Sequence, residues 1–283
     1  MRRSVQITGV ALIALLFAAI GIWGAALAED HRGALTVSFL DVGQGDAIFI
    51  QAPSGISALI DGGPDTTVLR ALSARIPWWE RDIDVVISTS HAKSNSVGLV
   101  DVLSRYSVGT IIRSSVAGSD AYSRALTDAI HMQSEHGARV MNAKRGQIID
   151  LGAGAYLEIL SPDREVPGAS AAEGCVVARL VYGKTAFMLP CDAPQALEKY
   201  LVYLDGASLH ADVLKVAHHG AKTSSSPLFV GYVSPMYAVY SRDCKNAPAE
   251  ETTATLARFG VQTLDTCQGT VTFVSDGKSV RAE

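Results

Sequence analysis

From residue 35 onward the chain is organised by alternating apolar and polar positions. Leu35 to Leu40 and Ala47 to Gln51 read as strands flanking the loop Asp41-Val-Gly-Gln-Gly-Asp46, whose glycines permit a tight turn with exposed backbone N–H groups. Ser57 to Ile60 is a third predicted strand, ending at Asp61-Gly62-Gly63. Thr66 to Arg75 reads as a helix and the apolar run Ile83 to Ser88 as a buried strand. Val97 to Tyr106 and Ala121 to His136 carry helical spacing, the second stopping at Gly137. Strand signals return at Gln147 to Leu151 and Tyr156 to Leu160. Cys175 to Tyr182 and Thr185 to Leu189 then flank Gly183-Lys184, a hairpin with a two-residue turn. Pro194 to Leu204 and Glu251 to Phe259 are predicted helices, with strands at Val213 to Val216, Tyr237 to Tyr240 and Thr270 to Val274. Strands followed by helices, twice over, predict an α+β protein built as an αββα four-layer sandwich. One domain over residues 29–283 is the simplest organisation, and there is no repeat at solenoid spacing.

The N-terminus departs from this pattern. Arg2 and Arg3 precede Ser4 to Ala28, a run without formal charge and long enough to span a bilayer as a helix. The cationic start favours a cytoplasmic N-terminus with the remainder translocated. Ala26-Leu27-Ala28 before Glu29 has the form of a signal-peptidase site. Residues 1–28 are therefore expected to be either a signal peptide or an N-terminal membrane anchor, and either places the domain outside the cytoplasmic membrane. This segment also accounts for part of the mean hydropathy of +0.21. The formal net charge of −4 supplies no global basic field to recruit nucleic acid, although a local basic groove is compatible with it.

The candidate chemistry lies in Ala211-Asp-Val-Leu-Lys-Val-Ala-His-His-Gly220, Val37 to Ala47 and Leu59-Ile-Asp-Gly-Gly63. In order and content these strings resemble the metallo-β-lactamase-like domain of ComEC-type competence proteins and their stand-alone bacterial relatives, over about Leu35 to Lys278. The resemblance implies the metallo-β-lactamase fold and a hydrolytic centre of one or two metal ions. It also implies a ligand loop of the form Thr-His-Pro-x-x-Asp-His-x-Gly-Gly-Leu. This chain has Ser88-Thr-Ser-His-Ala-Lys-Ser-Asn-Ser-Val-Gly-Leu99 there. The ligand positions fall on Ser90, Ala92, Ser94 and Asn95, and His91 stands where the family has Pro, as an expected surface-loop histidine. Alanine is no ligand, and serine and asparagine bind Zn²⁺ poorly beside imidazole and carboxylate. Lys93 adds a positive charge close by. A later family histidine falls on Ala247. Asp192 matches a metal-bridging aspartate whose preceding Gly is here Cys191, although Asp192 before Ala193-Pro194 also reads as a helix cap. His218-His219-Gly220 matches the late ligand motif, in which one of the two histidines would bind. Asp46 and Asp61 are expected to be mainly structural, ordering backbone around the site. The residual metal candidates are thus Asp192, His218 and His219. Five changed positions argue that metal hydrolysis has been given up.

Outside the cytoplasm an even number of cysteines suggests bridges. The hairpin register sets Cys175 beside Cys191, within one residue of directly opposite, and Cys244 and Cys267 each follow a predicted strand near the rim where this fold places its site. Bridges 175–191 and 244–267 are expected, with four unpaired thiols as the alternative. There is no G-x-S-x-G elbow and no P-loop. The favoured expectation is a non-catalytic binding or accessory protein linked to DNA uptake or the envelope, without a cofactor, partnering nucleic acid or a membrane transporter. The alternative is a metal-dependent nuclease or phosphodiesterase holding zinc or manganese at the residual site. A third reading, a reactive thiol at Cys191, is disfavoured by the neighbouring Asp192 carboxylate.

Overall fold

The computed structural model describes residues 12–22, 33–116, 118–164 and 170–283. The chain divides into two units, Met1–Gly33 and Ala34–Glu283. In the first, the described residues form a helix, α1, over 12–22, and the remainder of the expected leader or anchor lies outside the described residues. Among the described residues no helix is long and apolar enough to cross a membrane.

The second unit contains two sheets. The first has eight strands, and its central run comprises β1 (Leu35–Phe39), β2 (Ile48–Gln51), β3 (Ser57–Ile60), β4 (Asp82–Ser88) and β5 (Ser107–Arg113). Its edges are β6 (Arg139–Asn142) on one side, and β14 (Val271–Ser275) with β15 (Val280–Ala282) on the other. The second sheet, of seven strands, runs through β7 (Ile148–Asp150), β8 (Ala155–Ser161), β9 (Val177–Tyr182), β10 (Thr185–Leu189), β11 (Val213–Lys215), β12 (Tyr237–Tyr240) and β13 (Gln262–Asp265). Helices α2 (Thr67–Ser73), α3 (Lys93–Arg105) and α4 (Ala121–Glu135) cover the first sheet. Helices α5 (Gln195–Asp205), α6 (Pro227–Val233) and α7 (Glu250–Arg258) cover the second.

Period-two alternation builds the layers. Leu35, Val37, Phe39, Ile48 and Ile50 face Leu157, Ile159, Leu180, Phe187 and Val213 in the core between the sheets. The alternate residues Phe49, Leu59 and Val86 pack under Leu72, Leu99 and Val102 of the first helix layer. Met188, Leu214 and Ala238 pack under Leu201, Phe229 and Leu256 of the second. The predicted four-layer sandwich is the observed one, and the hairpin pairs Tyr182 with Thr185 as its sequence requires.

Cys244 and Cys267 form a disulfide with their Cα atoms 4.9 Å apart, closing a loop of sequence separation 23. The other expected bridge is absent, and Cys175 and Cys191 are buried free thiols. The ladder ends at Leu189, and Cys191 turns to φ 53°, out of the extended geometry that would hold the two sulfurs opposed. Its sulfur instead lies 3.0 Å from Thr89 Oγ1, whose proton goes to Asp61. Reduction of the native protein should remove about 3 kcal/mol, the loop-entropy contribution of the 244–267 closure. The melting temperature should fall in dithiothreitol and should be unaffected by dithiothreitol in Cys244→Ser/Cys267→Ser.

Candidate functional site

One edge of the sandwich collects the loops that follow β1, β3, β4, β10 and β11. The loop Asp41 to Asp46 is pinned there by backbone bonds: Asp46 N donates to Ser94 O at 3.2 Å and Gly63 N to Asp46 O at 2.8 Å. Asp61 follows β3 at φ 61°. It accepts from Thr89 N at 2.8 Å and Thr89 Oγ1 at 2.5 Å, so it fixes the start of the ligand loop. Burial pushes its carboxyl well above the ordinary range, against the Thr89 hydrogen bonds. Its expected structural role agrees with these contacts.

Left-handed backbone concentrates at this edge: Asp61, Cys191, His218 and His219 all have φ between 50° and 61°. Such conformations cost non-glycine residues of order 1–2 kcal/mol each and persist only where the surroundings enforce them. The consecutive left-handed pair His218-His219 separates the two rings. His219 is buried, with Nδ1 2.8 Å from Ser241 O. His218 is exposed, its Nδ1 only 3.5 Å from Thr223 Oγ1. His219 is therefore the inward residue, and His218 lies outside the buried cluster.

Asp192, His219 and Asp46 converge. Their ligand atoms lie within 4.8 Å of one another, and all three residues are buried. Asp46 Oδ1, Asp192 Oδ1 and His219 Nε2 each lack a hydrogen-bond partner. Asp46, expected to be structural, is thus a full member of the cluster. Asp192 does not cap α5, whose N-cap is Pro194; its carboxylate turns into the site, where Asn95 Nδ2 donates to Oδ2 at 3.3 Å. Ser90 and Asn95 are buried beside it, with Asn95 Nδ2 3.5 Å from Ser90 Oγ. Ala92 is the N-cap residue of α3, Ser94 contributes its backbone carbonyl to Asp46, and Ala247 is exposed on the rim. His91 is half-buried rather than a surface-loop residue. Its ring lines a separate cavity of about 50 Å³ with Ser88, Arg113 and Thr127.

Lys215 is the functional residue that sequence reasoning missed. It ends β11 on the same face as Val213, so it points between the sheets. Its side chain is 1% exposed. Its ammonium donates to Asp46 Oδ2 and to Cys191 O (2.8 Å), and lies 3.7 Å from Asp192 Oδ1. Burial alone would lower its pKa, but the two carboxylates outweigh burial and hold it above the ordinary value. Asp192 is likewise drawn below its ordinary range: burial opposes this, and Lys215, then His219, overcome it. The available signal was a charge inside the apolar run Val213-Leu-Lys-Val216, because a buried charge needs a partner. Cys191 is pushed well above the ordinary thiol range by burial, then by Cys175 and Asp192, which disfavours the thiolate, as the neighbouring carboxylate led one to expect.

Two carboxylates and one imidazole fit a single small cation. Beside them, Asn95 and Ser90 offer neutral polar groups where a second ion would need charged or imidazole donors. Even one divalent ion must share its carboxylates with the Lys215 ammonium.

No family model matches the chain. ComE operon protein 3 of Bacillus subtilis is 25% identical over 264 residues, covering 84% of this chain and 32% of that protein. Competence protein ComA of Neisseria gonorrhoeae is 34% identical over 116 residues, covering 40% of this chain and 17% of that protein. The chain thus spans less than a third of the length of these relatives. Among solved structures, the metallo-β-lactamase fold protein YhfI of Bacillus subtilis superposes with a TM-score of 0.54 at 12% identity, covering 85% of this chain and 99% of that one. Zn²⁺-bound PqqB of Methylobacterium extorquens superposes with a TM-score of 0.51 at 11% identity, covering 82% and 97%. The layer order, the site edge and these likenesses agree: the chain has the metallo-β-lactamase fold and is similar in sequence to part of these competence proteins.

Proposed function

We propose that this chain is an extracytoplasmic accessory protein of DNA uptake whose metallo-β-lactamase-like domain binds rather than hydrolyses. In this reading the Lys215 ammonium supplies the positive charge that the family's centre takes from metal. The observation that carries it is the contact of that ammonium with Asp46, Cys191 O and Asp192 at a position 1% exposed. The ligand loop supports it, since an asparagine amide rather than a ligand faces Asp192. Export rests on the apolar segment Ser4 to Ala28, and the link to uptake on likeness to competence proteins. Nucleic acid or a separate membrane transporter is the partner class this implies.

A second reading is favoured by one specific observation, the three buried donor atoms without hydrogen-bond partners. Asp46, Asp192 and His219 would hold a single zinc or manganese ion, which when bound supplies an activated water for phosphodiester hydrolysis. Metal analysis separates the two. Protein from zinc- and manganese-supplemented cells, purified without chelator, should contain well under one metal per chain. Its melting temperature should not change in EDTA. One metal per chain, lost in His219→Ala, would overturn the non-catalytic reading and make nuclease assays decisive.

A further inference from the structure

The edge of the sandwich opposite the site carries Trp78 and Trp79, 79% and 63% exposed. They stand edge to face with ring centroids 5.7 Å apart. The turn that presents them is fixed, because Ile76 is buried in the core beneath α2 and Glu80 N bonds to Pro77 O at 2.9 Å. Two adjacent indoles held out by an ordered turn cannot be explained by the packing of this domain. A contiguous exposed apolar patch of this kind is often an interaction site.

Strand register identifies what this edge faces. Thr36 pairs with Gln51, Gln51 with Ser57, and β3 runs parallel to β4 with Ala58 beside Val85. The start of β1 therefore lies level with the start of β4, only a few residues beyond Trp79. The lateral offset is three strands, about 15 Å. Whatever precedes Leu35 in the chain is joined to the domain at the tryptophan edge. What precedes it is the uncharged run Ser4 to Ala28, followed by a short connector. The site loops leave the opposite ends of the same strands, roughly 20 Å away along β4. Charge at the tryptophan edge is mixed: Arg75, Arg81, Arg105, Lys184 and Lys278 stand with Glu80, Asp82 and Asp276.

We infer that Trp78 and Trp79 are an interfacial membrane contact: the domain rests on the bilayer by this edge and turns the Asp46–Asp192–His219 site away from it. Indoles suit the headgroup region, where one face is apolar and the N–H stays wet. The inference rests on the membrane-proximal reading of the N-terminal run, and is independent of whether the site binds metal.

The test uses residues 29–283, which contain the whole two-sheet unit and its cores. Trp23 is the third tryptophan of the chain and lies outside this fragment, so its tryptophan emission comes from the pair alone. Adding vesicles of phosphatidylcholine, with or without phosphatidylglycerol, should shift that emission to the blue and carry the protein into the vesicle pellet. Trp78→Ser/Trp79→Ser should sediment with vesicles at least roughly tenfold less, since each indole offers ~150–250 Å² of burial. Its melting temperature should stay within a degree or two of wild type, as expected of exposed positions. Unchanged emission at saturating lipid, or equal sedimentation of the double variant, would overturn the inference. So would a blue shift without lipid that grows with protein concentration, which would assign the pair to a second copy. Quenching by single-stranded DNA, with no response to vesicles, would assign it to base stacking and would equally overturn it.

Discussion

Lys215→Met should cost about 3–5 kcal/mol of unfolding free energy, the typical effect of removing one partner from a buried ion pair. Much of that cost lies in what remains, not in the attraction lost. Asp46 and Asp192 are 2% and 7% exposed in their side chains, and without the ammonium two carboxylates share a dry site with no cation. Cys191 O loses its donor as well. Denaturant unfolding of wild type and variant measures the cost directly. Adding Asp46→Asn to Lys215→Met removes one of the orphaned charges and should recover part of the loss, so the double variant keeps the prediction testable if the single one folds poorly. The same variant bears on metal: its site keeps both carboxylates and His219, so Zn²⁺ or Mn²⁺ should raise the melting temperature of Lys215→Met and leave wild type unchanged. A Lys215→Met protein within 1 kcal/mol of wild type would show that the ammonium is not needed for charge balance. That outcome would remove the main support for the non-catalytic reading.

Gly98→Ala should be of similar size, about 3 kcal/mol or more, and opposite in sign to the usual effect. In an exposed helix interior, Gly to Ala stabilises by close to 1 kcal/mol. Here a Cβ on Gly98 would stand 2.0 Å from Gly62 O and 2.5 Å from Asp65 O, both backbone atoms. Neither can move without breaking the seam in which Gly62 N bonds to Asn95 O (2.8 Å) and Gly98 N to Gly63 O (3.0 Å). Overpacking against rigid backbone costs 1–3 kcal/mol or more, and loss of the seam adds to it. The seam seats the start of α3, and with it Asn95, against the sheet. Ser104→Ala, on the exposed side of the same helix, should change stability by less than about 0.5 kcal/mol. Equal stabilities for the two variants in chemical denaturation would refute the steric argument.

Both predictions concern residues that the sequence presents unequally. Gly98 sits in a string long enough to be aligned with the ligand loop, but its close approach to the backbone of Gly62 and Asp65 is visible only in the fold. Lys215 also lies in a recognisable string, but nothing local says that its side chain turns inward. That follows from the pleat of β11 and from two carboxylates that are 169 and 23 positions away along the chain. The choice between His218 and His219 is similar: adjacent identical residues carry the same local signal, and only the paired left-handed backbone turns one in and the other out. One unpredicted element, β5, is a buried internal strand that begins at Ser107 immediately after α3 ends at Arg105, with no breaker between the two patterns; the other missed elements share a cause. Strands β6, β13 and β15 are short, partly exposed edge or near-edge strands with little alternation, and α6 follows a serine-rich turn that resembles loop. Their positions are set by neighbours, not by their own pattern.

The sequence by itself determined the layers. Apolar positions on both faces of β1, β2, β9 and β10, with helices between the strand groups, pointed to two sheets back to back beneath helices, and the two-residue Gly183-Lys184 turn settled the hairpin register. The resemblance to ComEC-type domains, not the pattern, marked Ser90, Ala92, Ser94, Asn95 and Ala247 as departures from a ligand set. Tertiary structure alone decided which charges meet. Asp46, Asp192, Lys215 and His219 come from four separate loops and strand ends, and convergence at one edge depends on strand order and register. The failure of Cys175 and Cys191 to bridge depends in the same way on the turn of one backbone angle at the end of a strand. Local pattern encodes burial, because burial is a property of each face. Pairing of distant polar groups is a property of the assembled sheet, where the energy of a buried charge depends on partners that no short segment contains.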